Sequence, residues 1–219
     1  MNTIQSETPK ASQSKLAIIP LTLIISTSKN KQVHFVGLGE FGSKALSYCI
    51  NKEKDAAFTA ITDIWGSKDI PGINFVELKR PIQKQINPIN RELSALFAES
   101  EKQSIITAEI KRVFEAECWY IIFVGVEHHI SNTLTEVLFE WLTTNKKDFF
   151  FVGLATMQFF ESVKWDLAPE IIEKKLERLD LGKFIDLKSR VTKHEEISMD
   201  ELSEIASEEL YKAYKSKFN

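Results

Sequence analysis

Val33-His34-Phe35-Val36-Gly37-Leu38-Gly39-Glu40-Phe41-Gly42-Ser43-Lys44-Ala45-Leu46 decides the fold of this 219-residue chain. A short apolar run leads into glycines spaced G-x-G-x-x-G, and helix-favouring residues follow. The stretch reads as a buried strand, a tight turn and the start of a helix. Glycine tolerates positive φ and carries no side chain, so a phosphate can approach the N–H groups at such a helix start. The same glycines also suit a strand-to-helix turn that binds nothing, and the motif alone leaves both readings open.

Working outward, the downstream sequence alternates strand and helix patterns. A helix is expected over about 42–53, closed by the polar run Asn51-Lys52-Glu53-Lys54-Asp55. Ala57 to Asp63 reads as a second strand, with Asp63 at its C-terminal end, where nucleotide sites form in open α/β sheets. Asn74 to Leu78 is a short strand. Helical spacing of Leu93, Leu96, Phe97, Ile106, Ile110, Val113 and Phe114 predicts helix over about 90–117, with a break near Ser104. Trp119 to Gly125 is a continuous apolar run, the pattern of a central parallel strand buried on both faces.

A loop over Val126 to Asn132 is expected next, then a helix at about 133–144 that Ser131, Asn132 or Thr133 would cap. Phe149 to Leu154 reads as another buried strand, and 168–179 as a helix with Pro169 in its first turn. Phe184 to Leu187 is a last short strand. Ser198 and Glu201 stand in capping-box spacing at the start of a helix running to about 216. The alternation predicts one α/β domain over 15–219, a doubly wound, mostly parallel sheet of the Rossmann-like kind. Upstream, residues 1–14 are polar and expected to be disordered, and 16–26 reads as an extra strand or packing arm.

Composition narrows the function classes. Hydrophobic residues make up 43% and charged residues 27%, and the formal net charge is −3. That balance gives no reason to expect nucleic-acid or membrane-surface binding. The apolar run Leu16 to Ile25 is too short to span a bilayer. Cys49 and Cys118 sit in apolar contexts that suit buried free thiols in a reducing, cytoplasmic setting. Adjacent His128 and His129 have no Cys or His partner at ligand spacing, and Lys44 lacks the G-x-x-x-x-G-K-(S/T) setting of a phosphate-loop lysine.

Taken in order, these pieces resemble the N-terminal nucleotide-binding domain of the FtsZ/tubulin family over about residues 33–216. Val36 to Ala45 stands where that family has its first phosphate loop, and Ile61-Thr62-Asp63 where it has Asn-Thr-Asp. Ile121 to Thr144 matches the strand, loop and helix around the tubulin signature. Val152-Gly153-Leu154-Ala155-Thr156-Met157-Gln158-Phe159-Phe160-Glu161 resembles Val-Gly-Val-Val-Thr-x-Pro-Phe. The resemblance implies a tubulin N-domain-like fold. It also implies a nucleotide site at Gly37, Leu38, Gly39, Glu40, Gly42, Ser43, Asp63, Gly125, Ser131, Asn132 and Thr133. The implied ligand is GTP or GDP, or none, with Mg2+ present only when a nucleotide binds. Glu204 and Glu208 lie where the family contacts base or sugar, and they also read as a solvated helix face.

The departures from the family point away from catalysis. Its signature loop is Gly-Gly-Gly-Thr-Gly-(Ser/Thr)-Gly, whereas this chain reads His128-His129-Ile130-Ser131-Asn132-Thr133-Leu134. Side chains then stand where backbone must approach phosphate. Glu40 adds a carboxylate that opposes a polyphosphate by roughly 1–4 kcal/mol. The family's second domain and acidic hydrolysis loop are expected to be missing. The expectation is therefore a divergent assembly or interaction module, with weak or lost guanine-nucleotide binding and no self-contained GTPase site. Its expected partner is another protein or a second copy. The alternative is an NAD(H)-binding Rossmann domain like the regulatory domains of potassium transport systems, with Asp63 on the ribose.

Overall fold

The computed structural model describes residues 32–62, 70–78, 104–125, 129–154, 168–185 and 198–218. The expectations for tail 1–14, strand 16–26, Asp63, helical residues 90–103, loop residues 126–128, the 155–161 motif and strand residues 186–187 lie outside the described residues.

Six strands form one sheet: β1 (Val33–Leu38), β2 (Ala57–Thr62), β3 (Asn74–Glu77), β4 (Trp119–Gly125), β5 (Asp148–Leu154) and β6 (Gly182–Ile185). Their order is β3-β2-β1-β4-β5-β6, and every neighbouring pair is parallel. The chain winds outward one way from β1 and the other way from β4. The two strands where the direction reverses are in register, with Val36 opposite Ile122 and Leu38 opposite Val124. In such sheets the crevice beyond the strand C-termini at this reversal is where ligands bind.

Five helices are described: α1 (Gly39–Cys49), α2 (Ala108–Val113), α3 (His129–Thr144), α4 (Ala168–Arg178) and α5 (Met199–Phe218). Strand side chains alternate between the two faces, so each face has its own core. Phe35, Phe58, Ile121, Phe123, Phe150 and Val152 pack with Ala45, Leu46 and Cys49 of α1 and with Leu202, Ala206, Leu210 and Tyr214 of α5. Val36, Leu38, Ile61, Tyr120, Ile122, Val124 and Phe151 pack with Ile110 of α2, Leu134, Val137, Leu138 and Leu142 of α3, and Ile172 and Leu176 of α4. The continuous apolar runs of β4 and β5 are the consequence of burial on both sides. Each fully buried aromatic or branched residue contributes about 1.5–3 kcal/mol by leaving water.

β6 lies two residues early, at Gly182–Ile185, and α1 ends at Cys49 rather than about 53; three further helix boundaries differ. The helix after the glycine turn begins at Gly39, three residues early, because Gly39 takes φ +69° and turns the chain within a single residue. The helix expected to run to 117 stops at Val113. Its N-cap is Thr107, whose hydroxyl accepts from the Ile110 N–H at 3.3 Å. Phe114 then leaves helical geometry, with its ring centroid 4.9 Å from that of Tyr120.

The third difference matters most for the site. α3 begins at His129 rather than near Thr133. Ser131, Asn132 and Thr133 therefore lie inside the helix and do not cap it. Without glycine, this segment escapes the penalty of about 1 kcal/mol per residue that a glycine run imposes, and helix extends back through it. The last helix keeps its expected start: Ser198 and Glu201 exchange hydrogen bonds in both directions at 2.9 and 3.2 Å.

Candidate functional site

The candidate site is the crevice beyond the C-terminal ends of β1 and β4. Its floor is built by glycines in tight backbone contact. A Cβ placed on Gly37 would lie 2.4 Å from the carbonyl oxygen of Gly42, and one on Gly42 would lie 2.3 Å from that of Phe123. The first turn of α1 thus rests directly on β1 and β4. Close helix–strand packing requires two of the glycines, and the left-handed backbone requires Gly39.

Leu38 is the N-cap of α1 and makes no side-chain capping bond to it. Glu40 stands in the first turn, where its carboxylate is favoured by the positive end of the helix dipole. It pairs with Lys44 at 3.0 Å, both side chains 38% exposed. The Lys44 ammonium also donates to the Ser203 hydroxyl on α5 at 3.3 Å. The Ser43 hydroxyl is buried and donates back to the Gly39 carbonyl at 2.6 Å. Among the implied site residues, one anion and one buried hydroxyl of this turn are therefore engaged within the chain.

Across the crevice, Gly125 ends β4. A Cβ there would lie 3.1 Å from the Cβ of Phe41, whose side chain is 7% exposed and belongs to the α1–α5 core. Phe41 thus packs against the last residue of the strand that leads toward α3. Ser131 and Asn132 enter as backbone positions in the first turns of α3, and Thr133 is buried. The structure brings Gly37, Leu38, Gly39, Glu40, Gly42, Ser43 and Gly125 to one edge of the sheet. Asp63 and His128 lie outside the described residues, and β2 is described as far as the buried Thr62.

Sequence reading missed Phe41 and Ser203 as parts of this edge. An apolar aromatic inside a glycine turn is the signal that points to Phe41. Ser203 carries no such signal, because its link to Lys44 spans 159 residues.

His34 binds Thr59 at 2.9 Å, and burial pushes it down to about 4. Cys49 and Cys118 are buried free thiols in the two separate cores. Burial, helped by Glu53, pushes the Cys49 thiol up to about 12, so it is unreactive near neutrality. Glu204 is exposed, and Glu208 pairs with Lys212 at 2.8 Å on the outer face of α5. No cluster of three or more His, Cys, Asp or Glu suited to a metal ion occurs among the described residues. No helix among them is long and apolar enough to cross a membrane.

No protein-family model matches the sequence, and a search of the curated proteins returns no match. Solved structures do match. FtsZ from M. jannaschii, as a point mutant, aligns with 87% of this chain and 57% of its own, at TM-score 0.52 and 16% identity. TubZ of Bacillus thuringiensis serovar israelensis, in a GTPγS-form protofilament, aligns with 84% of this chain and 55% of its own, at TM-score 0.51 and 9% identity. TubZ of Clostridium botulinum phage c-st aligns with 82% and 56%, at TM-score 0.50 and 12% identity. The chain spans little more than half the length of these structures. It has the fold of the FtsZ/tubulin N-terminal domain, as its motif order implied.

Proposed function

We propose that this chain is an assembly or interaction module built on the FtsZ/tubulin nucleotide-binding fold, with weak or lost guanine-nucleotide binding and no self-contained GTPase site. The observation that carries this reading is α3 starting at His129. The segment aligned with the family's glycine loop is helix from His129 on, so the N–H groups of Thr133 and Leu134 are used in intrahelical bonds and only those of the first turn are left to meet a phosphate. Glu40 supports the same reading, since it adds a carboxylate to the first turn of α1, where it repels a polyphosphate. Self-association as the remaining role is suggested by the TubZ match, whose structure is a protofilament. Its partner is then a second copy or another protein of this fold.

A second reading is supported by the strand order. The order β3-β2-β1-β4-β5-β6, with a G-x-G-x-x-G turn after β1, is also that of dinucleotide-binding domains.

A thermal-shift series with GTP, GDP, ATP and NAD, each with Mg2+, separates the readings when paired with sedimentation velocity. Ligand at 100-fold its Kd stabilises by about 2.7 kcal/mol, a readable shift. The proposal expects at most a small shift with GTP or GDP, none with ATP or NAD, and a concentration-dependent increase in sedimentation coefficient. A large shift with guanine nucleotides overturns the weak or lost binding. A shift with NAD alone establishes the second reading, and a monomer at all concentrations with no captured partner of this fold overturns the assembly role.

A further inference from the structure

We draw no further inference here: the strongest candidate, the Glu40–Lys44–Ser203 side-chain cluster joining the first turn of α1 to α5, belongs to the site already described and rests on a helix N-terminus with no second observation pointing to a ligand.

Discussion

Gly37 and Gly42 are in backbone contact: a Cβ on Gly37 would lie 2.4 Å from the Gly42 carbonyl oxygen, with the Gly42 carbonyl carbon at 2.5 Å. Neither group can swing aside, because one belongs to a central strand and the other to the first turn of α1. Gly37→Ala and Gly42→Ala should each destabilise by about 3 kcal/mol or more. Gly39→Ala meets a backbone penalty from φ +69°, which should cost about 1–2 kcal/mol. Urea denaturation of the three variants tests the ranking. An equal cost at all three would refute the packing account.

Protonation of His34 should limit stability in mild acid. Burial lowers its pKa from the ordinary 6.5 to about 4, so the folded state binds fewer protons than the unfolded chain between those values. The stabilisation is complete above about pH 6.5 and is lost as pH falls toward 4, reaching roughly 2 kcal/mol with allowance for partial exposure. Denaturation midpoints measured at pH 7.5, 6.5 and 5.5 should fall in step with this. His34→Gln, which retains a polar partner for Thr59, should flatten the slope across that window.

The α1–α5 pairing has a polar clasp at its far end. The Tyr211 hydroxyl donates to Glu53 at 2.8 Å, and Lys215 pairs with the same carboxylate at 2.9 Å. Lys52 lies 4.3 Å from the Tyr48 ring centroid, and that ring meets Tyr211 edge-on. Tyr211→Phe should cost about 1 kcal/mol. Glu53→Ala should cost more, because it strips both donors of their acceptor. A double-mutant cycle should return coupling of about 0.5–1.5 kcal/mol; additive costs would show that the two groups do not interact.

Gly153 makes room for an aromatic on the edge strand. A Cβ there would lie 2.3 Å from Cε1 of Phe184, its register partner on β6. Gly153→Ala should displace the ring and destabilise by about 1–2 kcal/mol. Adding Phe184→Leu should recover part of that loss, because the smaller side chain vacates the contact. If the double variant is as unstable as the sum of the singles, the ring is not the obstacle.

Much of the fold was legible along the chain. The unbroken apolar runs of β4 and β5 marked strands buried on both faces, and the G-x-G-x-x-G spacing located the β1–α1 turn. The Ser198–Glu201 capping box placed the start of α5 within one residue. The strand–turn–helix reading also placed Gly37 to Ser43 and Gly125 at the C-terminal ends of β1 and β4. The limits of α1 and α3 were not legible. The expectation put loop where the family resemblance has loop, while the local sequence without glycine continues as helix.

The sequence by itself determined the order of elements, the two-faced burial of the central strands and the need for glycine after β1. Periodicity, capping and backbone freedom act between residues a few positions apart, and they leave marks in a single stretch. Tertiary structure alone decided that Phe41 packs on Gly125, that Lys44 reaches Ser203, and that Glu53 is shared by Tyr211 and Lys215. Those contacts join residues more than 80 positions apart. They exist only because the parallel sheet carries α1, β4 and α5 to one side of the molecule, where side-chain reach rather than sequence spacing selects partners.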